Sequence, residues 1–411
     1  MIKIFCNSKN LPEKKYVYDF IFNDQTYDLT LWDFDLYKFE LNDQSISFPD
    51  LFLNSATLNP VKIENVKMFK IPNTVEIPVF WEKDMVKRLE DIDFCGTIFY
   101  ILSLFHEYHN PELDEHARII HQSSIMYQTN TNNFPVCDIL RKIIRSSLSI
   151  SNIDFVPFKL TFDIDILEKF GKPFKLFAGD LLKRKSPKLF ISNLLSFMRR
   201  ISSRKDPYDR FETFIDLSKS LQTIPYFFLI FNSNSQFDAK YYNNPKELNS
   251  LLTKLGDSKI GIHYSYNSIL DQTLSEDIKN FQEKIGIKPS YGRAHYLRFR
   301  PTELFNQIEK NGLEIDFSLG YSKISGFRAG TSRDFQPWNF KEKRPYAFLE
   351  SPLGFMDSTF EYYNKKNPKE ILEKLFTYTL ESEGSLNILL HNSSESNFCN
   401  IVLDVLRNHL D

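Results

Sequence analysis

A chain of 411 residues with 42% hydrophobic content is long enough for two ordinary cores, and it is rich in Phe (39) and Tyr (20) and poor in Gly (13). With 51 basic against 53 acidic residues the net charge is −2, which gives no electrostatic reason to expect a nucleic-acid partner. The N-terminus is too short in apolar residues for a signal peptide and no run approaches a membrane span, so a soluble cytoplasmic protein is expected.

Residues 1 to about 85 carry short runs broken by Asn, Asp and Pro, and Tyr16–Phe22, Leu36–Leu41 and Val75–Trp81 are strand-like. From residue 90 to 109 the period becomes helical, with Phe94, Ile98, Ile101, Leu102 and Phe105 on one stripe. His106, His109, His116 and His121 follow closely, yet no carboxylate or cysteine at fixed spacing completes a ligand set, so they are expected not to bind metal. Four cysteines, Cys6, Cys95, Cys137 and Cys399, lie far apart and read as buried thiols in a reducing compartment. A helix over 137–149 and the polar Ser149–Asn152 suggest a boundary, giving a smaller α+β domain over 1–152 and a second domain over 153–411.

After residue 155 strands and helices alternate. The strand candidates are Phe158–Asp163, Ile224–Phe231, Lys259–Ser265, Arg293–Phe299, Ile315–Tyr321, Ala347–Met356 and Leu386–His391; Thr302–Lys310 and Pro368–Ser382 are the cleanest helices. The basic stretch Leu181–Lys205 reads as a helical insertion with a solvated face. Seven strands alternating with helices suggest an α/β barrel or a doubly wound sheet.

Polar residues recur at the ends of these strands. Asp163 and Asp165 share one face of the first, and two carboxylates there are costly without a metal or an acid–base role. His263 ends the third, His295 and Arg298 lie in the fourth, Asp357 follows the sixth and His391 ends the last. In an α/β barrel the carboxyl ends of the strands form the active-site face.

Thr161-Phe162-Asp163-Ile164-Asp165, Gly261-Ile262-His263-Tyr264-Ser265-Tyr266, His295-Tyr296-Leu297-Arg298-Phe299, Gly326-Phe327-Arg328-Ala329-Gly330-Thr331 and Ile388-Leu389-Leu390-His391 follow one another in order. In that order they resemble the polysaccharide deacetylase superfamily, the nodulation-deacetylase homology domain of carbohydrate esterase family four. The likeness is to a bacterial branch with an extra N-terminal domain and covers nearly the whole chain. It implies a distorted (β/α) barrel of about seven strands, a divalent metal, most simply zinc, and a carbohydrate substrate. The chain departs from the family pattern at Ile164, which separates the two acids, and at Asn267, where a second metal-binding histidine is usual.

On this resemblance, Asp165 and His263 are metal ligands, and His295 is inferred to replace the histidine missing at 267. Asp163 is the expected base, Arg298 its partner, and His391, across the barrel mouth, the acid that protonates the leaving nitrogen. Tyr266, Tyr296 and Trp338 offer faces for sugar rings, though ordinary packing explains them equally well. Arg328 and Asp357 are placed to bind substrate or to pair with each other. The function implied is metal-dependent removal of an N-acetyl group from a sugar of a cell-surface glycan or its precursor. The alternative is a non-catalytic carbohydrate-binding relative that kept the fold.

Overall fold

The computed structural model describes residues 1–410 apart from 72–74, 82–86, 152–154, 204, 234, 239 and 395–396. The expected boundary near Asn152 therefore lies outside the described residues.

The N-terminal unit is built on a four-stranded sheet ordered β2-β1-β3-β4, with β1 Ile2–Cys6, β2 Tyr27–Leu31, β3 Leu36–Leu41 and β4 Gln44–Pro49. Strand β1 alternates cleanly, burying Ile2, Ile4 and Cys6. Tyr16–Phe22, expected as a strand, is instead the end of the helix Leu11–Ile21 with its C-cap Phe22. Its buried Lys14, Val17, Tyr18 and Ile21 fall at i, i+3, i+4 and i+7, and Pro12 and Glu13 open its first turn. The aromatic content, which favours strands, masked that period. Strands β5 Lys67–Lys70 and β6 Glu76–Val79 pair antiparallel. The helix expected over 90–109 is two helices, Phe94–Leu102 and Phe105–His109, separated where Leu104 adopts φ 59°. The first is buried on every side rather than along one stripe.

The second unit is an eight-stranded parallel sheet that curls into a distorted (β/α) barrel. Its strands are β7 Phe158–Ile164, β8 Tyr226–Ile230, β9 Lys259–Tyr264, β10 Tyr291–Ala294 and β11 Ile315–Asp316, then β14 Leu349–Glu350, β15 Leu353–Met356 and β16 Leu386–His391. A small hairpin of β12 Trp338–Asn339 and β13 Arg344–Pro345 intervenes. Neighbours in the sheet run β14-β11-β10-β9-β8-β7-β16-β15, so chain order is followed all the way round. The two edges, β14 and β15, are consecutive in the chain. The single strand expected over 347–356 is split there, where Pro352 has no N–H for a ladder. Strands β7 and β8 are buried almost throughout, as both faces of a parallel sheet require. Strand β10 is shorter than expected: Tyr296 (φ 61°) and Leu297 (φ 49°) turn the chain just beyond Ala294.

The two units share one continuous apolar core. Polar links cross between them as well: Arg328 to Glu107, Thr331 and Ser332 to Asp138, and Cys137 N–H to the Gly330 carbonyl. All four cysteines are buried and free. Among the described residues no helix is long and apolar enough to cross a membrane.

Candidate metal centre and acid–base site

The site forms at the carboxyl ends of β7, β9, β10 and β16. Parallel pairing puts His391 opposite Asp163, and His263 opposite Arg293. His263 Nε2 lies 3.4 Å from Asp165 Oδ1, and His295 Nε2 lies 3.6 Å from the same oxygen. Both rings are oriented from behind. Nδ1 of His263 donates to the Arg293 carbonyl (3.0 Å), and Nδ1 of His295 to Asp238 Oδ1 (3.1 Å). With Nδ1 so engaged, each Nε2 presents a lone pair to the same space. Asp165 Oδ1 is buried there and has no hydrogen-bond partner. Two ligands about 2.1 Å from one tetrahedral ion lie roughly 3.4 Å apart, so these separations fit a divalent metal. Asp165, His263 and His295 are the residues that would hold it. Their electrostatics agree: Asp165 is held below the usual carboxylate range because the surrounding histidines outweigh burial, and His263 is raised because Asp163 and Asp165 outweigh burial.

Asp163 stands beside this set, with Oδ2 3.5 Å from His263 Nε2. Its partner is Arg293, not the expected Arg298. Fully buried Arg293 donates from Nη1 to Asp163 Oδ1 (2.8 Å), from Nη2 to Thr161 Oγ1 (2.9 Å) and from Nε to the Phe317 carbonyl (3.0 Å). The turn at Tyr296–Leu297 carries Arg298 to the rim. There Nη1 donates to the Tyr266 carbonyl (2.8 Å) and Asn267 Oδ1 (2.9 Å), and Nε to the His116 carbonyl (3.0 Å).

His391 sits on the strand adjoining Asp163 rather than across the mouth. Its Nε2 is 4.0 Å from Oδ2 of both Asp163 and Asp165. Its Nδ1 bonds Asp357 Oδ1 at 2.7 Å, and its backbone N–H donates to Asp357 Oδ2 at 2.6 Å. Burial alone would lower the imidazole pKa, but Asp357, Asp165 and Asp163 together raise it to about 10. Asp357 is thus a buried group orienting His391 rather than a substrate contact. Arg328 is also buried, gripping Glu107 (Nη2–Oε2 2.6 Å) and the Gly320 carbonyl (2.9 Å), so the two do not pair with each other.

Asp163, Asp165, His263, His295 and His391 line a cavity of about 430 Å³. Tyr296, 41% exposed, forms part of its wall with Tyr362 and Tyr363. Tyr266 is buried behind it, its hydroxyl 2.6 Å from His116 Nδ1. Trp338 packs on Tyr16 and Phe99 far from this rim. None of His106, His109, His116 and His121 belongs to the metal-ligand group found among the described residues. Arg118 of the N-terminal unit does reach the cavity, donating to the Tyr296 carbonyl at 2.9 Å. A second cavity of similar volume lies by the amino end of β7, where Lys159 and Asp334 pair with each other; among the described residues it holds no comparable acid–base set.

Arg293, Asp238, Tyr362 and Tyr363 were not singled out from sequence. Arg293 had a legible signal, a charge at the start of an apolar strand; Asp238 had none, lying in a loop between β8 and the next helix.

Residues 2–152 match a family described as a family of unknown function (DUF7033). No curated protein matches the chain. Among the solved structures similar to it are two described as polysaccharide deacetylases. One is a "putative polysaccharide deacetylase" from Mycobacterium smegmatis, 11% identical, with 63% of this chain and 86% of that one covered and a TM-score of 0.41. The other is the polysaccharide deacetylase Bc1974 from Bacillus cereus, 14% identical, with 62% and 89% covered and a TM-score of 0.29.

Proposed function

We propose that the protein is a metal-dependent hydrolase that removes an N-acetyl group from a sugar of a cell-surface glycan or its precursor. The observation that carries this reading is the convergence of Asp165, His263 and His295 beside two separately oriented groups, Asp163 on Arg293 and His391 on Asp357. A bound divalent ion, zinc first among the candidates, would supply Lewis acidity and an acidified water.

The chain's own residues account for the proton movements. Asp163 Oδ2, its other oxygen fixed by Arg293, accepts a proton from the attacking water. His391, its Nδ1 held by Asp357, gives a proton from Nε2 to the leaving nitrogen as the C–N bond breaks. Acetate and a free amine result. Tyr296, Tyr362 and Tyr363 supply flat apolar walls suited to a sugar ring. The division into units 1–152 and 153–411 is part of the same proposal.

The test is acetate release from N-acetylated glycan fragments with added zinc or cobalt. Asp163→Asn and His391→Ala should each lose about 10²–10⁴-fold in rate while retaining metal and fold. His295→Ala should lose the metal. If the wild type binds such fragments and releases no acetate with any metal, the protein is a carbohydrate-binding relative instead.

A further inference from the structure

The basic stretch exposes its cations, as read from its sequence, but it exposes apolar side chains with them. Helix Pro187–Ser203 has apolar residues on two sides. One side docks: Phe190 and Phe197 pack on Phe177 at 5.8 and 5.7 Å, and Asn193 Nδ2 donates to buried Asp180 at 2.8 Å. The other side shows Ile191, Leu194, Leu195, Met198 and Ile201 to solvent, at i, i+3, i+4, i+7 and i+10. Ile191 is 55% exposed, Met198 59% and Ile201 65%, and Leu182 and Phe174 just before them reach 78% and 86%. A surface helix in water places polar residues there, so a contiguous aliphatic stripe marks an interaction face.

Charge says what covers it. Residues 172–205 hold ten Lys and Arg against one acid, Asp180, whereas the rest of the chain holds 41 against 52. Asp180 is already engaged by Arg184 (2.5 Å) and Asn193. Lys172, Lys175, Lys183, Lys185, Lys188 and Arg199 have no carboxylate partner among the described residues. At about 100° per residue, Lys188 and Arg199 border the aliphatic stripe along one side. A second copy of the chain would bring two strongly cationic faces together. An anionic lipid surface satisfies both the apolar stripe and the cations.

We propose that the insertion Lys172–Lys205 is a peripheral membrane-docking element for anionic phospholipid, with its exposed aliphatic stripe entering the headgroup boundary. It leaves the barrel from the carboxyl end of β7, and Ile166 and Tyr208, near its two roots, line the candidate cavity. Docking therefore brings the cavity mouth to the lipid surface. The assignment stands independently of the hydrolase reading.

The test is flotation of the full chain with phosphatidylcholine vesicles, with and without phosphatidylglycerol. Binding is expected only with phosphatidylglycerol and should fall with added salt. Leu195→Ser/Met198→Ser should weaken partitioning at least about 10-fold. Lys183→Gln/Lys185→Gln/Lys188→Gln should weaken it roughly 100-fold, at about 1 kcal/mol per cation. Both variants alter exposed groups, and unchanged circular dichroism checks their fold; should either misfold, the salt dependence of the wild type decides. The proposal is overturned if the wild type ignores anionic vesicles, if neither variant changes binding, or if sedimentation shows a dimer that Leu195→Ser/Met198→Ser abolishes without vesicle binding.

Discussion

Two residues apart in sequence, Asp163 and Asp165 end in opposite surroundings. Asp163 is held by a buried guanidinium, whereas Asp165 Oδ1 is buried without any donor. Both acids were visible in sequence because charge interrupts an apolar strand; which arginine serves Asp163 was not, because a turn after Ala294 decides it. Arg293→Met should therefore destabilise the protein by about 3–5 kcal/mol, since it leaves Asp163 buried and unpaired. Arg298→Met, which touches only the rim, should leave the Asp163 environment intact; urea midpoints separate the two. His391 gives a pH signature. Its folded pKa, about 10, lies above the ordinary value near 6.5. The stabilisation it gives the metal-free protein is complete below about pH 6.5 and is lost as pH rises through about 10. Asp357→Asn should move the His391 titration, followed by NMR, back toward the ordinary value and flatten that loss.

Among the elements, the strands legible in sequence were those carrying apolar runs, such as β8 throughout and Ile388–Leu390 in β16. The ones misjudged involve local backbone events: the split around Pro352, the turn at Tyr296, and a helix whose aromatics look strand-like. Strand β10 shows how an element sets the site. It is only four residues long, and its Gly292 pairs with Ile262 on one side and Asp316 on the other. A Cβ at Gly292 would stand 2.0 Å from the Tyr264 hydroxyl, which donates to Asp316 Oδ1 at 2.8 Å. With both ladders fixing the backbone, Gly292→Ala should cost about 1–3 kcal/mol in overpacking. Because Arg293 and His295 follow directly, the same substitution should weaken metal binding, measured by competition with a chromophoric chelator. A variant of ordinary stability and metal affinity would mean that β10 does not carry the site's geometry.

For the whole molecule, composition and alternation pointed to two units, but the contacts between them could not be read from sequence. The first unit does more than precede the barrel. Arg118 borders the cavity, and the His116 carbonyl accepts from Arg298. The Glu107–Arg328 pair is buried on both sides, with side chains 3% and 6% exposed. Removing one partner of such a pair leaves a charge without compensation inside the core. Glu107→Gln should therefore cost about 3–5 kcal/mol. Because the apolar core is continuous across the units, that loss should be felt by both. Hydrogen exchange would follow β1 in one unit and β7–β9 in the other. Coincident loss of protection in both is expected, as for one cooperative structure. A fragment starting at Phe155 should correspondingly fail to fold alone. Loss of protection confined to β1, or a folded metal-binding fragment, would mean that the barrel is stable without its N-terminal unit.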